Sequence, residues 1–203
     1  MTMRHPDPER RAEILARAAA YVLEHGLSDL SLRPLAAALN TSGRMLIYYF
    51  GTKDQLVVDV LDEIRRRKYA ELGLGAEDVD VLRRYWDWAT SPEGQRYLRL
   101  VYEVYGLSLH EPERFGGFLT AESRDVVENI GHGFRAAGIP DRHVDALSTY
   151  TFAALRGLEL DLLATGEANR IGQAFDMFEA DLERRTEQLT IPAPRGRKKE
   201  RRP

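Results

Sequence analysis

Residues 31–56 read SLRPLAAALNTSGRMLIYYFGTKDQL, and the rest of the chain is arranged around this stretch. Ser31 is suited to cap a helix, its hydroxyl accepting from a free amide of the first turn. Pro34 lies in that first turn, where a missing N–H costs little. Leu32, Leu35, Ala36 and Leu39 then share one helical face. Asn40-Thr41-Ser42-Gly43 interrupts the periodicity with residues that favour turns and left-handed conformations. Ser42 is placed to cap a second helix over 43–50, which turns Leu46 and either Tyr49 or Phe50 inward. Gly51 ends it. Thr52 then opens a third helix, with Gln55 three residues on forming a capping box.

Two short helices joined by a tight turn make a helix-turn-helix, whose second helix can enter a DNA major groove. The outward face of that helix carries Gly43, Arg44, Met45, Ile47 and Tyr48. Arg44 can give a bidentate contact to a guanine edge. Lys53, at the start of the next helix, joins a positive charge to free backbone amides and suits a phosphate.

The run L-A-x-x-L, then S-x-R-x-L-x-Y-Y-F-G-T-K-x-x-L, resembles the DNA-binding domain of the TetR (tetracycline repressor) family of transcriptional regulators. The resemblance covers roughly the first 60 residues, and Tyr49-Phe50-Gly51-Thr52-Lys53 is its most diagnostic segment. The pattern departs at Asn40-Thr41, where the family often has Gly-Val, and at Ile47, where it often has Tyr. That Tyr usually meets a phosphate, a contact that neighbouring Tyr48 or Tyr49 can replace. The resemblance implies a dimeric transcription factor, in most cases a repressor released from its operator by a small molecule. On this reading Arg44 reads a base, with Arg33 and Tyr48 as secondary contacts. Ser42, Tyr49 and Lys53 hold phosphates, assisted by Thr41.

At 203 residues, with 43% hydrophobic and 30% charged side chains, the chain can bury a substantial core. The absence of cysteine excludes disulfides and thiolate metal sites. No apolar run approaches a membrane span and no signal peptide opens the chain, so a cytoplasmic protein is expected. The net charge of −3 is uneven: 1–53 carries +2 and 190–203 carries +5, leaving about −10 for 54–189. Such polarity suits a protein whose ends face nucleic acid, and charge also fluctuates along any chain.

The fold expected is all-α: a head over 1–53, a ligand-binding and dimerisation body over 54–189, and a disordered basic tail over 190–203. Residues 1–8 read as a loose arm. The first helix follows, with Ile14, Leu15, Ala18, Ala19, Val22 and Leu23 as its buried stripe and Gly26 at its end. Arg4, Arg10 and Arg11 near its start suit phosphates or plain solvation. A long helix runs from Thr52 to about Leu72, and its Arg65-Arg66-Arg67-Lys68 run reads mainly as solvated surface. The resemblance makes this helix the link between head and body. Gly73-Leu74-Gly75 marks a boundary. Helical stretches follow near 78–90, 92–110, 114–137, 141–165 and 167–189, with Gly106, Gly116-Gly117, Gly138 and Gly166 at or beside the breaks.

The last two stretches carry Val144, Leu147, Thr151, Ala154, Leu155, Leu158 and Leu162, then Ile171, Phe175, Phe178 and Leu182. Small residues Ala153, Ala154 and Gly157 permit close helix approach. Two such helices per subunit can form a four-helix homodimer interface, as in TetR relatives, and a dimer reads two half-sites of a palindromic operator about 34–36 Å apart. Ordinary packing within one chain also explains these faces. Between lie aromatics from which Trp86, Tyr102, Tyr105 and Phe152 are the chosen lining of a pocket for an apolar or aromatic effector, with Arg156 and Glu103 as polar partners. The same aromatics at helical spacing also fit a plain core.

Enzymatic readings find no support. The five histidines form no H-E-x-x-H pair, and Glu128 with His132 reads as an i,i+4 contact. Gly131-x-Gly133-x-x-Ala136 lacks the preceding strand of a dinucleotide fingerprint. Neither cofactor nor metal is expected. The alternative to a DNA-binding regulator is a helical ligand-binding or protein-interaction module that no longer reads DNA.

Overall fold

The computed structural model describes residues 7–28, 30–72 and 81–190. Nine helices and no strand occur among them: α1 (Pro8–His25), α2 (Leu32–Ala38), α3 (Gly43–Phe50), α4 (Lys53–Leu72), α5 (Val81–Thr90), α6 (Pro92–His110), α7 (Pro112–Ala136), α8 (Asp141–Thr165) and α9 (Ala168–Leu189). The all-α expectation holds. Most of the 1–8 arm, the Gly73-Leu74-Gly75 boundary and the tail beyond Thr190 lie outside the described residues.

Local chemistry accounts for most helix ends. Asp7 caps α1 by accepting from the Glu9 and Arg10 amides, and Pro8 takes the first helical position. Ser91 caps α6, accepting from the Gly94 amide at 3.1 Å, with Pro92 following. Gly26, Gly51 and Gly166 close α1, α3 and α8 at φ of +74°, +80° and +71°, where a Cβ is disfavoured. Gly106, Gly116 and Gly117 do not mark breaks: the first lies inside α6 and the other two inside α7, and the chain turns at Glu111. The sharpest close approach is at Gly94, where a Cβ would stand 2.0 Å from the Trp88 carbonyl oxygen.

One core cluster runs from the head into the body. It joins Ile14, Ala18 and Val22 of α1, Leu35 of α2, Leu46 and Phe50 of α3, and Leu56, Val60 and Leu61 of α4 to Val101 and Val104 of α6. The expected stripe of α1 is buried except Leu15 and Leu23, which are half-buried at its margin. A second cluster packs α8 against α9 and α5, centred on Phe175, whose ring stacks on Trp86 at 4.4 Å. Burying a side chain of that size contributes about 1.5–3 kcal/mol.

Most of the apolar residues expected to form a dimer seam are used inside the chain. Val144, Leu147, Thr151, Leu155 and Leu162 of α8, with Ile171, Phe175, Phe178 and Leu182 of α9, are all buried in the single subunit. The faces left outward hold Tyr150, Ala153, Gly157, Leu160 and Met177.

Candidate nucleic-acid interface and body site

The helix-turn-helix is set by a short run of hydrogen bonds. Leu39, Asn40 and Thr41 donate backbone N–H groups to the carbonyls of Leu35, Ala37 and Ala36, which closes α2. Asn40 sits at φ +51°, a left-handed conformation that Asn tolerates better than most residues. Ser42 then starts α3, its hydroxyl accepting from the Met45 amide at 3.2 Å. Ser31 differs from expectation: its backbone is extended at the start of α2, yet its hydroxyl makes no cap hydrogen bond. The capping box at Thr52 is half made. Thr52 Oγ1 accepts from the Gln55 amide at 3.0 Å, while the Gln55 side chain reaches Asp59 at 2.8 Å instead of returning to Thr52.

Leu46 and Phe50 anchor α3 in the core, and Tyr49 is half-buried with its ring edge-on to Tyr48. Arg11 braces this end of the head from below. Its guanidinium lies 4.8 Å from the centre of the Phe50 ring, donates to the Tyr49 carbonyl at 3.3 Å, and pairs with Asp59. Arg11 is therefore committed to structure. Arg10 pairs with Glu13 on the surface, and Arg4 lies outside the described residues.

Of the DNA-contact candidates, Arg33, Ser42, Arg44 and Tyr48 are exposed, and Thr41, Tyr49 and Lys53 are half-buried. Ser42 accepts the cap bond and retains its O–H for donation. Lys53 occupies the first position of α4, where the helix dipole favours an anion.

The body candidates separate. Tyr102, Tyr105 and Phe152 gather around Arg156, whose guanidinium lies 4.2 Å from the Tyr105 ring centre and 3.9 Å from that of Phe152. Tyr102 donates its hydroxyl to the Arg156 carbonyl at 3.0 Å and to Glu159 at 2.7 Å. Trp86 sits in the other core cluster, stacked on Phe175. Glu103 turns to the head instead of joining Arg156. Its carboxylate accepts from the Leu27 amide at 3.0 Å, the Ser28 amide at 2.6 Å and the Ser28 hydroxyl.

A buried polar belt was not anticipated. Lys68 of α4 and Glu122 of α7 are both buried and paired, and the Tyr97 hydroxyl donates to the same Glu122 oxygen at 2.9 Å. The reading of the Arg65–Lys68 run as solvated surface fails here: Arg65 pairs with Asp125, Arg66 and Arg67 share Glu63, and only Arg66 is fully exposed. Glu159 is also buried, accepting from Tyr85 at 2.6 Å and from Tyr102. Burial pushes its carboxyl above the ordinary range, against the two phenols and the positive charges of Arg156 and Lys68. Burial lowers the Lys68 ammonium, against the attraction of Glu122. The signal was present in register: Lys68 follows Leu61 and Ile64, Glu122 follows Phe115 and Phe118, and Glu159 follows Thr151 and Leu155 on the buried stripes.

Beside this belt, Tyr69, Asp125, Glu128, Asn129 and His132 line an open cleft of about 240 Å³. No group of three or more His, Asp or Glu residues suited to a metal ion occurs among the described residues.

Residues 14–60, spanning the helix-turn-helix and the first turns of α4, match the family described as bacterial regulatory proteins, tetR family. The head of this chain is thus similar to the DNA-binding domain of TetR-family transcriptional regulators. The TetR-like layout extends through the body. A TetR-family regulator from Rhodococcus sp. is 21% identical, with 89% of this chain and 98% of that one covered at a TM-score of 0.66. The multidrug binding protein EbrR, solved with imidazole, is 24% identical over 93% and 94% of the two chains at 0.63. A transcriptional regulator from Saccharomonospora viridis, solved with choline, is 20% identical over 85% and 96% at 0.62. At these identities the likeness shows a shared fold. No curated protein matches the chain by sequence. No described helix is long and apolar enough to cross a membrane.

Proposed function

We propose that this TetR-family regulator is a cytoplasmic, homodimeric repressor that binds a palindromic DNA operator and leaves it when a small apolar or aromatic molecule occupies the body. The observation that carries the reading is α3, anchored by Leu46 and Phe50 and presenting Arg44 and Tyr48 outward beside the α4 N-terminus. Arg44 reads a base, with Arg33 and Tyr48 as secondary contacts. Ser42, Tyr49 and Lys53 hold phosphates, and Thr41 assists.

Residues 1–53 form the DNA-binding head and 54–189 the body. The outward faces of α8 and α9, with Tyr150, Leu160 and Met177 beside the small Ala153 and Gly157, support self-association. Tyr102, Tyr105 and Phe152 line the effector site with Arg156 and Glu159 as polar groups, and Trp86, stacked on Phe175, lies apart from them in the second core cluster. An effector bound more tightly when the two heads are wrongly spaced shifts the population away from the operator-bound form. Imidazole in EbrR and choline in the Saccharomonospora protein are precedents for small ligands on this fold.

Fluorescence anisotropy of DNA from upstream of the protein's own gene, with wild type and Arg44→Ala at two salt concentrations, tests the reading. Tight, salt-sensitive binding that Arg44→Ala abolishes is the expected result. Equal weak binding by both proteins, on this DNA and on sequences selected from a random library, would overturn it.

A further inference from the structure

Because Leu46 and Phe50 turn inward, the outward side of α3 is made by Arg44, Met45, Ile47 and Tyr48. At about 100° of rotation per residue, Arg44 and Tyr48 form the crest, and Met45 and Ile47 flank it about 160° apart across that crest. Met45 and Ile47 are each 37% exposed. Seven large hydrophobic side chains are this exposed among the described residues, and three of them, Met45, Ile47 and Tyr48, share this eight-residue helix. Gathered on one short helix, these side chains make an apolar patch, the kind of surface that marks an interaction site. The surroundings are cationic, with Arg33 and Arg44 exposed and Lys53 half-buried nearby in sequence, which suits a polyanion. On the major-groove edge of duplex DNA, the apolar group available to such side chains is the thymine C5-methyl.

We infer that Met45 and Ile47 are specificity-determining residues that read thymine methyl groups on either side of the base pair contacted by Arg44. The inference rests on the DNA-reading function proposed above and adds the composition of the half-site: a guanine for Arg44 with thymines on both flanks. Ile47 then has a positive role where many TetR-family chains carry a tyrosine. It exchanges a phosphate contact for a base-methyl contact.

The test starts from the operator selected by wild-type protein out of a random library. Each thymine near the Arg44-contacted guanine is replaced in turn by deoxyuridine, which removes the methyl and keeps every hydrogen-bonding group. The expected loss is about four-fold in affinity per contacted methyl, the equivalent of exposing one buried methylene-sized group. Ile47→Ala is expected to abolish the uracil effect on one flank and Met45→Ala on the other, with both variants still unfolding cooperatively because Leu46 and Phe50 keep α3 in the core. Equal affinity for thymine and uracil operators, or uracil sensitivity that persists in both variants, would overturn the inference while leaving DNA reading intact. Failure to enrich any sequence would overturn the DNA-reading function and the inference with it.

Discussion

Lys68 and Glu122 form a buried ion pair, Nζ to Oε1 at 2.5 Å, between the helix that carries the head and a helix of the body. The Lys68 ammonium also lies 4.1 Å from the Tyr69 ring centre and 4.7 Å from that of Tyr97. Its charge is thus held by one carboxylate and two aromatic faces. Three bodies of contact converge on one side chain of α4, so the seating of this helix depends on charge as well as on its apolar stripe.

Breaking the pair from one side leaves a buried charge. Lys68→Met is expected to cost about 3–5 kcal/mol, and Lys68→Met/Glu122→Leu to recover most of that loss. Urea denaturation of the single and double variants measures both. A single variant within about 1 kcal/mol of wild type would show that the pair does little for stability.

Glu103 is the body's grip on the α1–α2 turn. Removing the carboxylate in Glu103→Ala leaves the Leu27 and Ser28 amides without their acceptor, at about 1–3 kcal/mol. Hydrogen exchange at those two amides should quicken well before global unfolding. Unchanged protection would mean that water replaces the carboxylate at no cost. Gly26→Ala should also destabilise, since φ is +74° and the new Cβ would stand 2.8 Å from a Glu103 oxygen.

Glu159 sets a pH dependence. Its folded pKa is raised above the ordinary 4.5, so the folded chain holds this proton more tightly than the unfolded chain does. The resulting stability is fully present below the unfolded value and is lost as pH rises through the folded value. Glu159→Gln should therefore flatten the fall in stability above about pH 4.5 that wild type shows. Parallel stability–pH curves for the two proteins would contradict the assignment.

The two ends of the proposed DNA interface should respond differently. Arg44→Ala is expected to cost about 1–3 kcal/mol and to relax preference at one base pair. Lys53→Ala should weaken binding to all sequences similarly and reduce the salt slope by about one. Titrations over a range of salt concentrations distinguish them. If Lys53→Ala altered base preference, its role as a phosphate contact would be wrong.

Much of the recognition unit was legible in the sequence because its instructions are local. The Ser42 cap, the Gly51 stop and the inward Leu46 and Phe50 each depend on neighbours within about four residues. Where an alternative local partner exists, the reading was less secure: Gln55 was free to choose between Thr52 and Asp59, and took Asp59. Glycine was a poor marker inside long helices. Gly106, Gly116 and Gly117 are carried through because buried residues of the same helices, Val104, Phe115 and Phe118, outweigh the roughly 1 kcal/mol that each glycine costs a helix.

The sequence by itself determined the layout of the nine helices among the described residues and which face of each is apolar, since both follow from spacings of three and four residues. Only the tertiary structure decided what the charges on those faces meet. Lys68 and Glu122 are 54 positions apart, and Glu103 lies 75 from Ser28. A charged residue on an apolar stripe has to find a partner or remain in water, and that choice depends on which helices pack together. It placed Glu103 against the head, Glu159 beneath two tyrosines, and Lys68 in the interior.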